Sequence, residues 1–122
     1  MIVCKFGGTS VGDAEAIART ASIVASRRDR QPVVVVSALG GTTNQLLQVA
    51  EQAAKGQLIG ALRAVEAMRE RHLGETNTLL AGDQAVVDEV CSELSVMFDE
   101  LAALAEALNT LGDVTPRSLD TI

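Results

Sequence analysis

Two short segments carry the residue types needed to hold a phosphoryl group. Lys5-Phe6-Gly7-Gly8-Thr9-Ser10-Val11-Gly12 continues an apolar run from Met1, and Ser37-Ala38-Leu39-Gly40-Gly41-Thr42-Thr43-Asn44 follows Val33 to Val36. Paired glycines let backbone amides approach an anion closely, because no Cβ stands in the way. Lys5 adds a positive charge beside the first strand end, while Thr9, Ser10, Ser37, Thr42 and Thr43 add hydroxyl donors. Such groups stabilise the charge that develops on a phosphoryl group in transfer. A helix starting near Asp13 would turn its N-terminal amides back towards the first turn. The pairing points to a small-molecule kinase.

Two common phosphate motifs do not fit. Gly7 and Gly12 have the spacing of the outer glycines of a P-loop, but Asp13 stands where its lysine must be. No GxGxxG follows the first strand, so a dinucleotide fingerprint fails as well. Ser37 is a poor nucleophile candidate, since no suitable general base is in view and His72 is the only histidine. Within the second turn, Thr42 or Thr43 is expected to cap the helix that follows.

The elements that must position these turns are readable from periodicity. Ile2 to Phe6 reads as a strand and Asp13 to about Arg28 as a helix, with Ile17, Ala21 and Val24 on one stripe. Gln31-Pro32 ends that helix and releases Val33 to Val36, a continuously apolar, β-branched run typical of a strand covered on both faces. Strand, helix and strand in this order predict a parallel βαβ unit. The remainder is helical: Thr43 to Lys55, Leu58 to about Leu73 with a stop at Gly74, and Asp83 to Leu111, a span of about 40 Å. In the last helix Val87, Val90, Leu94, Met97, Leu101, Leu104, Leu108 and Leu111 alternate spacings of three and four. That pattern suits a coiled-coil seam, and equally a long helix packed in a bundle, which is the preferred reading. Thr115-Pro116 reads as the start of a further helix.

Composition narrows the class. With 122 residues the chain fits one domain, and with Phe6 and Phe98 as the only aromatics its core must be largely aliphatic. A net charge of −6 argues against nucleic acid as a partner, and the Arg27, Arg28 and Arg30 cluster is accounted for as a helix C-terminus. No apolar run approaches the ~20 residues that span a bilayer, and no secretory signal is visible, so no membrane partner and a cytoplasmic location are expected. Cys4 and Cys91 lack metal-ligand spacing and read as reduced thiols, and no metal-ligating residue is assigned. His72, in a charged stretch, reads as a solvated residue near a helix end.

Taken together, the two glycine segments resemble the opening blocks of the aspartate kinases, within the amino acid kinase superfamily. The match rests on Lys5-Phe6-Gly7-Gly8-Thr9-Ser10-Val11-Gly12 and on Val35-Val36-Ser37-Ala38-Leu39-Gly40-Gly41-Thr42-Thr43-Asn44, at the right separation. The resemblance implies a three-layer α/β/α fold and ATP-dependent phosphorylation of the L-aspartate side chain, the first step towards lysine, threonine and methionine. It implies that Lys5, Gly7, Gly8, Thr9, Ser10 and Ser37 handle the nucleotide phosphates, with Lys5 catalytic, and that Gly41 and Thr43 contact aspartate. Magnesium would accompany ATP.

The same resemblance implies that residues 1–122 are the N-terminal portion of a longer kinase domain. A Gly-Glu substrate block, a later arginine and aspartate, the adenine-binding half and the ACT domains would lie elsewhere. A chain of this extent is expected to be inactive alone and to self-associate through its open sheet edge or long helix. Two alternatives follow from the same residues: a related kinase acting on acetylglutamate, glutamate or UMP, and a non-catalytic helical self-association module.

Overall fold

The computed structural model describes residues 1–112, so the Thr115-Pro116 helix start lies outside the described residues. The elements are β1 (Ile2–Phe6), α1 (Ala14–Ala25), a 3-10 turn (Arg28–Arg30), β2 (Pro32–Val36), α2 (Thr42–Ala54), α3 (Leu58–Leu79) and α4 (Gln84–Leu111). Strands β1 and β2 pair in parallel, in register from Ile2 against Pro32 to Phe6 against Val36. This is the βαβ unit expected from the alternation of apolar runs and helix.

Local chemistry sets each boundary. Asp13 caps α1 by accepting a hydrogen bond from the Ala16 amide at 2.8 Å. The helix ends at Ala25, short of Arg28, where the Ser26 hydroxyl donates back to the Ile23 carbonyl at 2.6 Å. The arginine cluster therefore lies beyond the helix, and Gln31 takes a left-handed φ of 50° before Pro32 opens β2.

The third helix corrects the expected stop at Gly74. Glycine ends helices through a left-handed backbone, and Gly74 does not take one. The helix continues to Leu79, with Thr76, Asn77 and Thr78 bonding back to the carbonyls of His72, Leu73 and Gly74. The break falls instead at Gly82, with φ of 99°, and at Asp83, which caps α4.

The core is a three-helix packing of α2, α3 and α4. Val49, Ala50 and Ala53 meet Ala61, Val65 and Met68, with Phe98, Leu101, Ala105 and Leu108 closing the third side. Ala50, Ala53, Ala61 and Ala105 are wholly buried, and their small side chains let the helices approach closely. Phe98 and Met68 join the aliphatic residues there. The bundle reading of α4 holds, but its buried face is shifted from the regular stripe: Met97 and Leu111 are 62% and 75% exposed. Val87, Leu101 and Leu108 are already buried inside the chain's own fold, which removes them from any intermolecular seam.

Arg69 ties α3 to α4. Its guanidinium bonds Asp99 at 2.8 Å and the Ser95 carbonyl at 3.0 Å, and lies 5.8 Å from the Phe98 ring centre. The hydrogen bond to Asp99, with Glu66 beside it, holds the guanidinium above its ordinary range despite desolvation.

The sheet departs from expectation. Val33 to Val36 are 41–56% exposed, so β2 is not covered on both faces. Val34 and Val36 front an open apolar groove of about 760 Å³, shared with Ile17, Ala21 and Val24 of α1 and Leu79 of α3. Val33 and Val35 alternate to the other face with Val3, and among the described residues nothing buries them. The parallel unit and its helical side are thus present, while one face of the sheet stays bare. No helix among the described residues is long and apolar enough to cross a membrane.

Candidate functional site

Both glycine turns stand at the C-terminal ends of their strands. Parallel strands bring them side by side, because Phe6 pairs with Val36 and the Ser37 amide donates to the Phe6 carbonyl at 3.0 Å. A Cβ built on Gly8 would lie 3.9 Å from the Ser37 hydroxyl, and one on Gly40 would lie 3.8 Å from the Gly12 Cα. Between Gly40 and Gly12 there is room for little more than a Cβ, so the turns lie close side by side.

Between them lies a recess of about 150 Å³, lined by Gly8 and by the whole second turn from Ser37 to Asn44. The structure therefore brings together Gly8, Ser37, Gly41 and Thr43 of the residues singled out from sequence. Lys5, Gly7, Thr9 and Ser10 are not part of the lining. Lys5 is exposed and pairs with Val35, which places it on the bare sheet face. Gly7 and Ser10 close the first turn, with the Ser10 amide donating to the Gly7 carbonyl at 3.0 Å. The Ser10 carbonyl accepts from the Thr20 hydroxyl at 2.7 Å, which moors the turn to α1.

The helix that opens towards the recess is α2, not α1. At the start of α1 the Ala14 amide donates to Glu75 Oε2 at 2.7 Å and the Ala16 amide to Asp13, so carboxylates already occupy that end. An anion would meet repulsion there. The start of α2 carries no side-chain cap: its N-cap is Gly41, with φ of 80°, rather than Thr42 or Thr43. The first residue of α2, Thr42, is 8% exposed, and its hydroxyl oxygen has no hydrogen-bond partner among the described residues. A buried, unpartnered hydroxyl beside uncapped helix amides costs folding free energy unless something outside the chain accepts from it or donates to it. No carboxylate occupies that end of α2, so its free amides face the recess without the repulsion an anion would meet at α1.

Two α3 residues that sequence reading passed over hold the turns in place. Arg71 donates to the Gly40 carbonyl at 2.6 Å and to the Gly12 carbonyl at 3.0 Å, spanning both turns. One helical turn later, Glu75 takes the Ala14 amide. In sequence they are two members of a mixed-charge helix and carry no distinguishing signal. His72, between them, is half-buried rather than solvated: its Nδ1 lies 2.7 Å from the Met68 carbonyl and its ring meets Phe98 edge-on at 5.1 Å.

The fold is an open parallel α/β arrangement whose recess lies at the carboxyl ends of its strands, the general location of ligand sites in this architecture. The family model described as the amino acid kinase family matches residues 1–112, and the chain belongs to that family. Its similar proteins include chloroplastic aspartokinase 3 of Arabidopsis thaliana, 33% identical over 106 residues that make up 85% of this chain and 19% of the relative. The aspartokinase of Mycobacterium tuberculosis (strain ATCC 25618 / H37Rv) is 52% identical over 54 residues, 43% of this chain and 13% of the relative. Among solved structures, E. coli aspartokinase III in complex with aspartate and ADP (R-state) superposes with a TM-score of 0.74 at 30% identity. That superposition covers 99% of this chain and 25% of the E. coli chain. The chain thus spans a quarter or less of the length of each of these relatives.

Proposed function

We propose that this chain forms the strand-end wall of an aspartate kinase site, at which the side-chain carboxylate of L-aspartate accepts the γ-phosphoryl group of ATP. The observation that carries this reading is the shared recess: Gly8, Ser37, Gly41 and Thr43 converge at the one uncapped helix start among the two that follow strands. The relatives reported above are aspartokinases, and the E. coli structure, which matches 99% of this chain, is a complex with aspartate and ADP. Aspartate is favoured over other acids on that ground.

ATP supplies the electrophilic phosphoryl group. In this chain the amides beside Gly8, Gly40 and Gly41 offer fixed donors to anionic oxygens, at no cost of reorganisation during the reaction. The Ser37 hydroxyl, at the junction of the two turns, donates to an oxygen lying between them. Thr43 and Gly41 hold the acceptor carboxylate at the start of α2, where the helix dipole favours negative charge. Lys5 is assigned to the phosphoryl group in flight, and Gly7, Thr9 and Ser10 to the nucleotide phosphates, on the resemblance of the first turn. From the bare sheet face, Lys5 reaches the strand end only through its flexible stem.

The recess volume of about 150 Å³ suits one phosphate or carboxylate rather than a nucleotide, since small-molecule sites occupy roughly 300–1,000 Å³. Adenine, ribose and the opposite wall of the site are therefore assigned to residues outside 1–112. No group of three His, Cys, Asp or Glu able to hold a metal occurs among the described residues. Magnesium arriving with the nucleotide finds no ligand cluster in this part of the chain, and no step is assigned to it.

A chimera tests the proposal directly. Residues 1–112 replace the matching quarter of E. coli aspartokinase III, and ADP formation is followed with magnesium, ATP and different acids. Turnover with L-aspartate that falls at least a hundredfold in Lys5→Ala is expected. A folded chimera that prefers glutamate or acetylglutamate contradicts the assignment. The isolated chain is expected to show no turnover.

A further inference from the structure

We infer that Arg71 is a positioning residue that locks the Gly40–Gly41 peptide and thereby sets the donor the recess presents. A trans peptide is planar, so its carbonyl and N–H point in opposite directions. The Gly40 carbonyl is held by Arg71 at 2.6 Å. The N–H of the same peptide belongs to Gly41 and is therefore turned away from the guanidinium. Among the described residues that N–H makes no hydrogen bond to a backbone carbonyl, unlike its neighbour Thr42, which donates to Leu39.

The Thr42 amide on the Leu39 carbonyl and the Gln45 amide on the Gly41 carbonyl, each at 3.1 Å, hold the ends of the turn but leave the orientation of its central peptide to Arg71. That peptide joins two glycines, whose backbone angles on either side of it are unrestricted by a Cβ, so no local steric preference selects one orientation over its flip. Flipped, the peptide would present a carbonyl oxygen where an anion is to be bound. A glycine pair gives the turn its close approach, and a side chain on α3 removes the freedom that the pair would otherwise have.

The second contact of Arg71 makes the lock report on both turns. Its other nitrogen holds the Gly12 carbonyl at 3.0 Å, so one planar guanidinium ties the end of the first turn to the second. Glu75 anchors the same stretch by taking the Ala14 amide. Arg71 is only half-buried and does not line the recess, so its effect is exerted through the backbone.

The inference rests on the recess being an anion site, and the two fail separately. The test uses the ¹⁵N,¹³C-labelled 122-residue chain as wild type, Arg71→Met and Arg71→Lys. Residual dipolar couplings and relaxation dispersion report the orientation and exchange of the Gly41 N–H, and unfolding curves report stability. Inorganic phosphate and L-aspartate then serve as probes. In the wild type a single, fixed Gly41 orientation is expected.

In Arg71→Met the Gly41 amide is expected to exchange on the microsecond-to-millisecond timescale while the Val49 and Met68 resonances stay in place. Probe affinity is expected to fall about tenfold, the loss of one oriented charge-assisted donor. Arg71→Lys keeps the charge but cannot fork to two carbonyls; it should restore folding if Arg71→Met unfolds, yet leave Gly41 exchanging. An unchanged Gly41 orientation in either folded variant overturns the inference. Full recovery of affinity in Arg71→Lys with Gly41 still exchanging also overturns it, because charge alone would then suffice. A locked Gly41 in a wild type that binds neither probe leaves the lock standing and refutes the anion site.

Discussion

Thr42 concentrates the conflict between folding and binding in one hydroxyl. Its oxygen is buried without a partner among the described residues, although the residue stands at the first position of α2 beside the recess. Valine has nearly the same shape and no polar atom to satisfy. Thr42→Val is therefore expected to stabilise the ligand-free chain by about 1 kcal/mol, the usual penalty of a buried unsatisfied group. Denaturant unfolding measures this, and a loss of stability would show that the hydroxyl is satisfied in solution. Much of this scale was legible in advance: the glycines and hydroxyls of both turns could be named from their types and spacing. What stayed hidden was which helix start was free, because that depends on Asp13 and on Glu75, a residue 61 positions away from its partner Ala14. Arg71 was hidden for the same reason, since its partners are backbone carbonyls and leave no trace in side-chain patterns.

At the scale of elements, periodicity located both strands and the four α-helices among the described residues but not the 3-10 turn at Arg28–Arg30, and the misjudged boundaries have physical causes. Gly74 was read as a helix stop because glycine favours the left-handed end of helices, but only a positive φ makes that use of it. In the interior of α3 it is instead a weakness. A Cβ there meets nothing within 4 Å, so Gly74→Ala is expected to stabilise the chain by roughly 0.5–1 kcal/mol. A thermal melt reads the gain, and destabilisation would indicate that α3 bends or ends at this point in solution. The shifted face of α4 has a different origin. Alternation of three and four defines a stripe only to within a rotation, and Phe98 with the small Ala105 draws the helix round towards α2 and α3.

On the scale of the whole molecule, two kinds of surface coexist. The three-helix side is closed around wholly buried alanines, while the sheet offers Val3, Val33 and Val35 on one face and an open apolar groove on the other. The β-branched run of β2 predicts burial on both sides, but in this two-stranded sheet Val33 to Val36 are 41–56% exposed. A two-stranded sheet is marginal by itself, and unpaired strand edges invite further pairing. The isolated chain is accordingly expected to self-associate at micromolar concentration, with β2 amides protected from exchange in the assembly. Light scattering that gives a monomeric mass, together with one cooperative unfolding transition, would contradict this.

The central claim is that two glycine turns, brought together by parallel strands and clasped from behind by α3, form one anion-binding wall. Titration of the ¹⁵N-labelled chain with L-aspartate tests it most directly. The account predicts that the amides of Gly8, Ser37, Gly41 and Thr43 shift together along one saturating curve, while Gly56 and Gly82, in the loops flanking α3, stay still. Shifts confined to the start of α1, or none at any of the four residues at millimolar aspartate, would contradict it.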